Sequence, residues 1–184
     1  FSDTEDPSDA ADLHNELFKR KRMELVRIDP RSNQMEYEDA LKKAKTGDLI
    51  ICQFMYYTRS EEMSGFLPKK VSDLMDAIVA LKKPIIGISI GNPYVIMEYP
   101  KTEATIAAYS PTRASLEATA EVLFGEQPSN GKLPITIPGR YNFGEGVEYN
   151  AIALREGKPE EAGMNSDSLS RVNEIIEKAI ADSA

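Results

Sequence analysis

The stretch Lys83-Pro-Ile-Ile-Gly-Ile-Ser-Ile-Gly-Asn-Pro-Tyr94 decides the fold. Residues 84–90 form an apolar run without the polar alternation of a half-exposed strand, which predicts a strand that is buried on both faces. Strands of this kind occur in parallel sheets that carry helices on each side. The stretch therefore indicates the centre of an α/β layer.

The same stretch also predicts where this strand ends. Pro93 has no backbone N–H to donate to a ladder, and Asn92 followed by Pro93 is typical of a helix cap and first helical residue. A short helix over 94–97 is therefore expected. Ligands of open α/β sheets bind at the carboxyl ends of the strands, so we expect residues 91–94 to lie on a functional edge.

Predicted strands and helices alternate along the chain. The patterns predict helices over 9–22, 36–45, 68–81 and 111–124, and further strands over 24–28, 48–54, 104–109 and 133–137. This alternation predicts the α/β class, with a mostly parallel sheet and helices on both faces. Because the first helix follows no strand and the chain opens on Phe1 rather than Met, we expect an initial strand upstream, in a longer polypeptide.

The last part of the chain has a different pattern. Residues 141–159 lack periodicity and are predicted to be a linker, and residues 160–184 contain an amphipathic helix over 167–181. The apolar stripe of this helix must bury against another surface. Its members are Leu169, Val172, Ile175, Ile176, Ala179 and Ile180.

Composition excludes several classes of protein. A formal charge of −8 over 184 residues argues against a nucleic-acid binder, which normally carries a basic face. No apolar run reaches 18 residues, so no transmembrane segment is expected. With one cysteine, Cys52, and one histidine, His14, we expect no structural zinc and no cofactor.

Two short matches to serine hydrolase motifs are weak on physical grounds. Gly87-Ile-Ser89-Ile-Gly91 matches the nucleophile elbow, but Ser89 lies inside the apolar run rather than at a turn, and His14 precedes it in the chain. Ser129-Asn-Gly-Lys132 matches S-x-x-K, which requires a helix, whereas Asn-Gly predicts a turn. We interpret Ser89 as a small core residue.

The polar segment from Met55 to Leu67 is longer than a usual strand-to-helix connection. It contains Glu61 and Glu62, the carboxylates whose setting suits a general acid acting on a sugar. The competing interpretation is that both are solvated loop charges.

Four collinear segments give the chain a family resemblance. Gly91-Asn-Pro-Tyr94, Ala107-Ala-Tyr109, the helix that ends Leu123-Phe-Gly125, and Gly131-Lys-Leu-Pro-Ile-Thr-Ile137 resemble the C-terminal domain of glycoside hydrolase family 3. The resemblance covers about residues 1–140 and implies an (α/β)6-sandwich domain that follows a TIM-barrel catalytic domain in the same polypeptide. The catalytic nucleophile is then expected on the barrel, with a carbohydrate as substrate.

The resemblance also implies roles for particular residues. Tyr57, Arg59, Asn92 and Tyr94 are expected on a rim that faces the substrate or the barrel. The loop after Phe54 looks like the loop that supplies an acid/base glutamate in many members, and the matching position falls on Arg59 or on Glu61 and Glu62. In the β-N-acetylglucosaminidase branch the acid/base lies on the barrel instead.

The tail shows a second resemblance. Lys158-Pro-Glu-Glu-Ala-Gly-Met-Asn-Ser-Asp-Ser-Leu169 is similar to the opening of serine β-lactamase-like domains. Such a fusion implies an exported bacterial enzyme that acts on cell-wall material, and it favours N-acetylglucosamine as the sugar. Without its barrel the chain is expected to be inactive. The alternatives are a stand-alone α/β binding or interaction module, and a serine esterase at Ser89.

Overall fold

A computed structural model describes residues 1–3, 8–56, 67–99, 102–152 and 157–182. The described chain divides into two compact units, Phe1–Ile152 and Ala153–Ala184. Within the described residues, no helix is both long enough and apolar enough to cross a membrane.

The first unit contains four helices, three strands and a short 3-10 helix among its described residues. In chain order these are α1 (Ser8–Arg20), α2 (Gln34–Thr46), β1 (Ile50–Tyr56), α3 (Lys69–Val79), β2 (Ile85–Gly91), the 3-10 helix Pro93–Met97, β3 (Ala104–Ala107) and α4 (Arg113–Leu123). The second unit contains a 3-10 helix, Pro159–Ala162, and α5 (Ser166–Asp182).

The three strands form a parallel sheet in the order β1-β2-β3. Ser2 extends this sheet, because Ser2 forms a parallel bridge with Met55 of β1. The Met55 N–H donates to the Phe1 carbonyl at 2.9 Å. The Ser2 N–H donates in turn to the Ile28 carbonyl at 3.0 Å. The α/β prediction is thus confirmed, whereas the predicted strand over 24–28 is wrong: this segment has no strand ladder of its own.

Helices cover both faces of this sheet. One apolar cluster joins β1 and β2 to α1 and α4, and it contains Leu13, Leu17, Met55, Ile88, Ile90, Leu116 and Ala120. A second cluster joins β1 and β2 to α3, and its members include Phe54, Val71, Leu74, Met75, Ile78 and Ile85. Because side chains alternate along a strand, β2 contributes residues to both clusters, which confirms that it is buried on both faces.

The predicted strand over 133–137 is also wrong. Of its residues, Ile137 alone forms a bridge, and this bridge is antiparallel to Tyr141 four residues later. Pro134 cannot donate to a ladder, and Leu133 donates instead to the Glu145 carbonyl at 2.8 Å. The segment is therefore a folded turn structure rather than a sheet edge.

Part of the predicted linker packs within the first unit. The Tyr149 N–H donates to the Ser129 carbonyl at 3.2 Å, and the Tyr149 hydroxyl donates to the Val122 carbonyl at 2.6 Å. The Ile152 N–H donates to the Gly125 carbonyl at 2.8 Å. The compact unit accordingly extends to Ile152. The domain bounds of 1–140, 141–159 and 160–184 stay predictions.

The tail helix forms as its periodicity predicts. Helix α5 spans Ser166–Asp182, and the large members of its apolar stripe are between 38% and 66% exposed. They are Leu169, Val172, Ile175, Ile176 and Ile180.

Candidate functional site

The carboxyl ends of β1 and β2 meet at one edge of the sheet. Tyr56 and Gly91 are register partners at the ends of these strands, and the Asn92 N–H donates to the Tyr56 carbonyl at 2.9 Å. Gly91 has a φ of 87°, a left-handed conformation in which a side chain is disfavoured, so glycine suits the point where β2 turns away. This edge is the sheet position at which open α/β domains bind ligands.

Asn92 fixes the turn that follows β2. Its side-chain Oδ1 accepts a hydrogen bond from the Tyr94 N–H at 3.0 Å, and Pro93 occupies the first position of the 3-10 helix. The predicted cap is therefore confirmed. Asn92 is buried, with 7% exposure, whereas Tyr94 is 38% exposed, so Tyr94 is the more exposed residue of the two.

A second tyrosine lies at the end of β3. The Ala108 N–H donates to the Ser89 carbonyl at 2.8 Å, which continues the pairing with β2, and Tyr109 follows with a φ of 58° and 38% exposure. Partial burial raises the pKa of Tyr109, and the nearby Tyr94 phenol raises it further. The structure thus brings Tyr94 and Tyr109 to neighbouring strand ends.

Sequence reasoning used Tyr109 as a family marker and assigned it no function. Its position could have indicated a function, because Tyr109 is the last residue of the strand predicted over 104–109. Of the predicted site residues, Asn92 and Tyr94 are described, and a hydrogen bond from the Tyr94 N–H to the Asn92 side chain joins them. Tyr57, Arg59, Glu61 and Glu62 lie outside the described residues, so their predicted roles stay predictions.

Ser89 does not have the geometry of a nucleophile elbow. It lies within β2, pairs in register with Phe54 and Ala107, and is 1% exposed. Its hydroxyl is buried and has no hydrogen-bond partner among the described residues. A serine nucleophile needs an adjacent base and access to substrate, so the position supports the interpretation of Ser89 as a core residue.

Glu16 of α1 is paired with basic groups of the same helix. A groove of about 280 Å³ lies between α1 and α4, and it is lined by Asp12, Asn15, Glu16, Lys19, Arg113 and Leu116. Within it the Lys19 Nζ donates to Glu16 at 2.6 Å, and this hydrogen bond lowers the pKa of Glu16. A carboxyl group held ionised in this way is unsuited to general-acid chemistry at neutral pH.

A metal centre is not formed by the part of the chain that the structure describes. No group of three or more His, Cys, Asp or Glu side chains there is placed to hold an ion. His14 lies in α1 against Phe18, with ring centroids 5.7 Å apart, and Cys52 is buried in the core. Burial raises the pKa of the Cys52 thiol to about 11, which keeps it protonated and unreactive at neutral pH.

Comparison with known proteins finds one matching family and similar curated proteins. Residues 8–166 match the family described as glycosyl hydrolase family 3 C-terminal domain. The chain is 31% identical over 122 residues to a periplasmic beta-glucosidase of Salmonella typhimurium. This alignment covers 62% of this chain and 16% of that protein. It is 26% identical over 132 residues to Beta-glucosidase BoGH3A of Bacteroides ovatus, and the alignment covers 64% of this chain and 18% of that protein.

The chain spans less than a fifth of the length of these curated relatives. The family match, in contrast, includes most of its residues and contains the sheet, the Asn92 turn and Tyr109. On this basis the chain belongs to the glycosyl hydrolase family 3 C-terminal domain family.

Proposed function

We propose that this chain is the accessory domain of a glycoside hydrolase that removes terminal β-linked sugars, with N-acetylglucosamine as the sugar. In this proposal a TIM-barrel domain of the same polypeptide supplies the carboxylate nucleophile, by the retaining route. The observation that carries the proposal is the family match over residues 8–166, which places the chain among domains of glycoside hydrolases.

The geometry of the sheet edge supports an accessory role. Among the described residues, this edge exposes two tyrosines, Tyr94 and Tyr109, and holds the buried Asn92 as the cap of its turn, and groups of this kind orient a substrate rather than act as the carboxyl pair of a glycosidase. Retaining glycosidases need two carboxyl groups about 5 Å apart across the scissile bond. The proposal therefore assigns Asn92 and Tyr94 to a rim, and the bond-breaking carboxylate to the barrel.

The choice of N-acetylglucosamine depends on the tail. The segment from Lys158 to Leu169 is similar to the opening of serine β-lactamase-like domains, and the exposed apolar stripe of α5 suits the first helix of such a domain. A polypeptide with both domains would act on cell-wall material, in which N-acetylglucosamine is the expected β-linked sugar. The curated relatives are named beta-glucosidases, so glucose is the competing sugar.

The test compares the chain with the full polypeptide that contains it. The full polypeptide should release p-nitrophenol from the aryl β-N-acetylglucosaminide with a higher kcat/KM than from the aryl β-glucoside, and the purified chain should release none. A preference for the glucoside would overturn the sugar assignment. Turnover by the chain alone would overturn the accessory role.

A further inference from the structure

Tyr94 and Tyr109 stand out among the aromatic residues of the sheet edge because both are partly exposed. Each side chain is 38% exposed, and Met97, on the same 3-10 helix as Tyr94, is 39% exposed. In contrast, Tyr56, at the end of β1, is 6% exposed and belongs to the core. The exposed residues follow β2 and β3, which are adjacent strands, and Tyr94 lies near enough to Tyr109 to help raise the pKa of its phenol.

The backbone at Tyr109 is held in a conformation that its side chain disfavours. Its φ of 58° is left-handed, a region that glycine and asparagine adopt readily and bulky residues adopt at a cost. Two hydrogen bonds to the Ala108 carbonyl hold the turn: the Ser110 N–H donates at 2.6 Å and the Ser115 hydroxyl at 2.9 Å. Backbone strain of this kind collects at sites where a side chain has a function.

We propose that Tyr94 and Tyr109 form an aromatic platform on which this domain binds a pyranose ring. The inference rests on the proposed function for the class of ligand. It goes further by locating a sugar contact on this chain itself, at two named residues, one of which had no predicted role.

The size and chemistry of the platform fit a single sugar ring. A tyrosine side chain presents about 200 Å² when free, so two rings that are just over one-third exposed provide on the order of 150 Å². A stable protein partner needs about 800 Å² from each side. A tyrosine also combines an apolar face with a hydroxyl at its tip, and a pyranose likewise has an apolar face and a polar rim.

The test titrates the complete chain with N,N′-diacetylchitobiose and, separately, with cellobiose. Selective labelling of the eight tyrosines allows NMR to detect which rings respond. We expect saturable shifts at Tyr94 and Tyr109 and a roughly fivefold loss of affinity for Tyr109→Asn, because asparagine tolerates the left-handed backbone but removes the ring. Tyr109→Phe should retain affinity within about twofold, since the ring remains.

A matched control removes an exposed aromatic ring from another segment. Phe143 is 72% exposed, and Phe143→Ala should leave saccharide affinity unchanged. The absence of saturable shifts at both tyrosines, or equal affinity of Tyr109→Asn and the unsubstituted chain, would overturn the proposal. It would also be overturned if Tyr109→Asn in the full polypeptide changed only domain association, since the platform would then be a protein contact.

These outcomes can be separated from failure of the proposed function. Hydrolysis by the full polypeptide with the same kcat/KM for Tyr109→Asn would refute the platform and leave the proposed function standing. Saccharide binding at Tyr109 in a full polypeptide that hydrolyses neither aryl glycoside would support the platform and refute the proposed function.

Discussion

The ring of Tyr99 lies directly against Gly87 of β2. A Cβ atom on Gly87 would be 2.9 Å from the Tyr99 hydroxyl oxygen and 3.0 Å from its ring carbon Cε2. Tyr99 is 2% exposed and stacks on Phe54, with ring centroids 4.3 Å apart and an angle of 6° between the planes. The first glycine of the G-x-S-x-G match is thus explained by packing and needs no catalytic role.

Gly87→Ala should lower the free energy of unfolding by about 1–3 kcal/mol, because the added methyl group overlaps a ring that is buried and stacked on Phe54. Denaturant unfolding measures the change. The matched control is Gly131→Ala, where an added Cβ meets no atom of the described residues within 4 Å, and it should change stability by less than about 0.5 kcal/mol. Equal effects of the two substitutions would contradict the packing explanation.

Ser89→Ala should leave stability unchanged or raise it by about 1 kcal/mol, because it removes a buried hydroxyl to which no residue in the described part of the chain forms a hydrogen bond. Ser115→Ala is the control: its hydroxyl donates to the Ala108 carbonyl at 2.9 Å, so its loss should destabilise by about 1 kcal/mol. A fluorophosphonate probe should not label the native chain. Labelling that Ser89→Ala abolished would instead support an esterase.

The Arg20 guanidinium joins the end of α1 to the segment after α4. Its Nε and Nη2 donate to the two carboxylate oxygens of Glu126, both at 2.7 Å. A double-mutant cycle with Arg20→Ala and Glu126→Ala should give a coupling energy of about 0.5–1 kcal/mol that falls in high salt, since the pair is partly exposed. Arg20→Lys should retain only part of it, because an ammonium group cannot bind both oxygens as a fork.

The exposed pair of Lys69 and Asp73 on α3, at 2.7 Å, is the control for this cycle. It lies within one helix and is open to solvent, so its coupling energy should be smaller than that of Arg20 and Glu126. A coupling energy for Arg20 and Glu126 that is no larger than that of the α3 pair would show that the forked contact between α1 and the end of α4 adds nothing beyond an exposed ion pair.

Stability should fall above about pH 9 because of Cys52. Burial raises the pKa of its thiol from 9.0 in the unfolded chain to about 11 in the folded one. The unfolded state therefore loses its proton first, so the contribution of this group is complete below pH 9 and is lost as the pH rises towards 11. The expected loss is on the order of 2 kcal/mol.

Urea unfolding between pH 8 and pH 10.5 tests the Cys52 prediction. Cys52→Ala should show a shallower decline with pH than the unsubstituted chain. Tyr56 and Tyr99, whose pKa values burial also raises, add a decline that both proteins share. Parallel stability curves for the two proteins would show that the thiol does not contribute.

Glu61 and Glu62 allow a test of the proposed sugar specificity. If the acid/base lies on the barrel, as in the β-N-acetylglucosaminidase branch, Glu61→Gln and Glu62→Gln in the full polypeptide should each change kcat for the aryl β-N-acetylglucosaminide by less than about twofold. A loss of about 100-fold or more in either variant would identify that glutamate as the acid/base and contradict the prediction.

The sequence by itself predicted the features that depend on neighbouring residues. The strand over 84–90, the cap formed by Asn92 and Pro93, and the helix predicted over 68–81 all appear in the structure, because each depends on a pattern among residues that are close together in the chain. The α/β class followed from their alternation. Asn92 and Tyr94 could be placed at the end of a strand because they directly follow an apolar run that could be recognised.

The tertiary structure decided the features that depend on distant residues. Whether 24–28 and 133–137 become strands depends on which segments pair with them. Ile28 accepts a hydrogen bond from Ser2, and Ile137 forms its bridge with Tyr141. Strand patterns alone do not predict these partners. The packing of Tyr99 on Gly87 and the left-handed backbone of Tyr109 likewise appear only once the sheet is assembled. Local patterns determine the elements, whereas contacts between distant residues determine which side chains reach the edge where a ligand would bind.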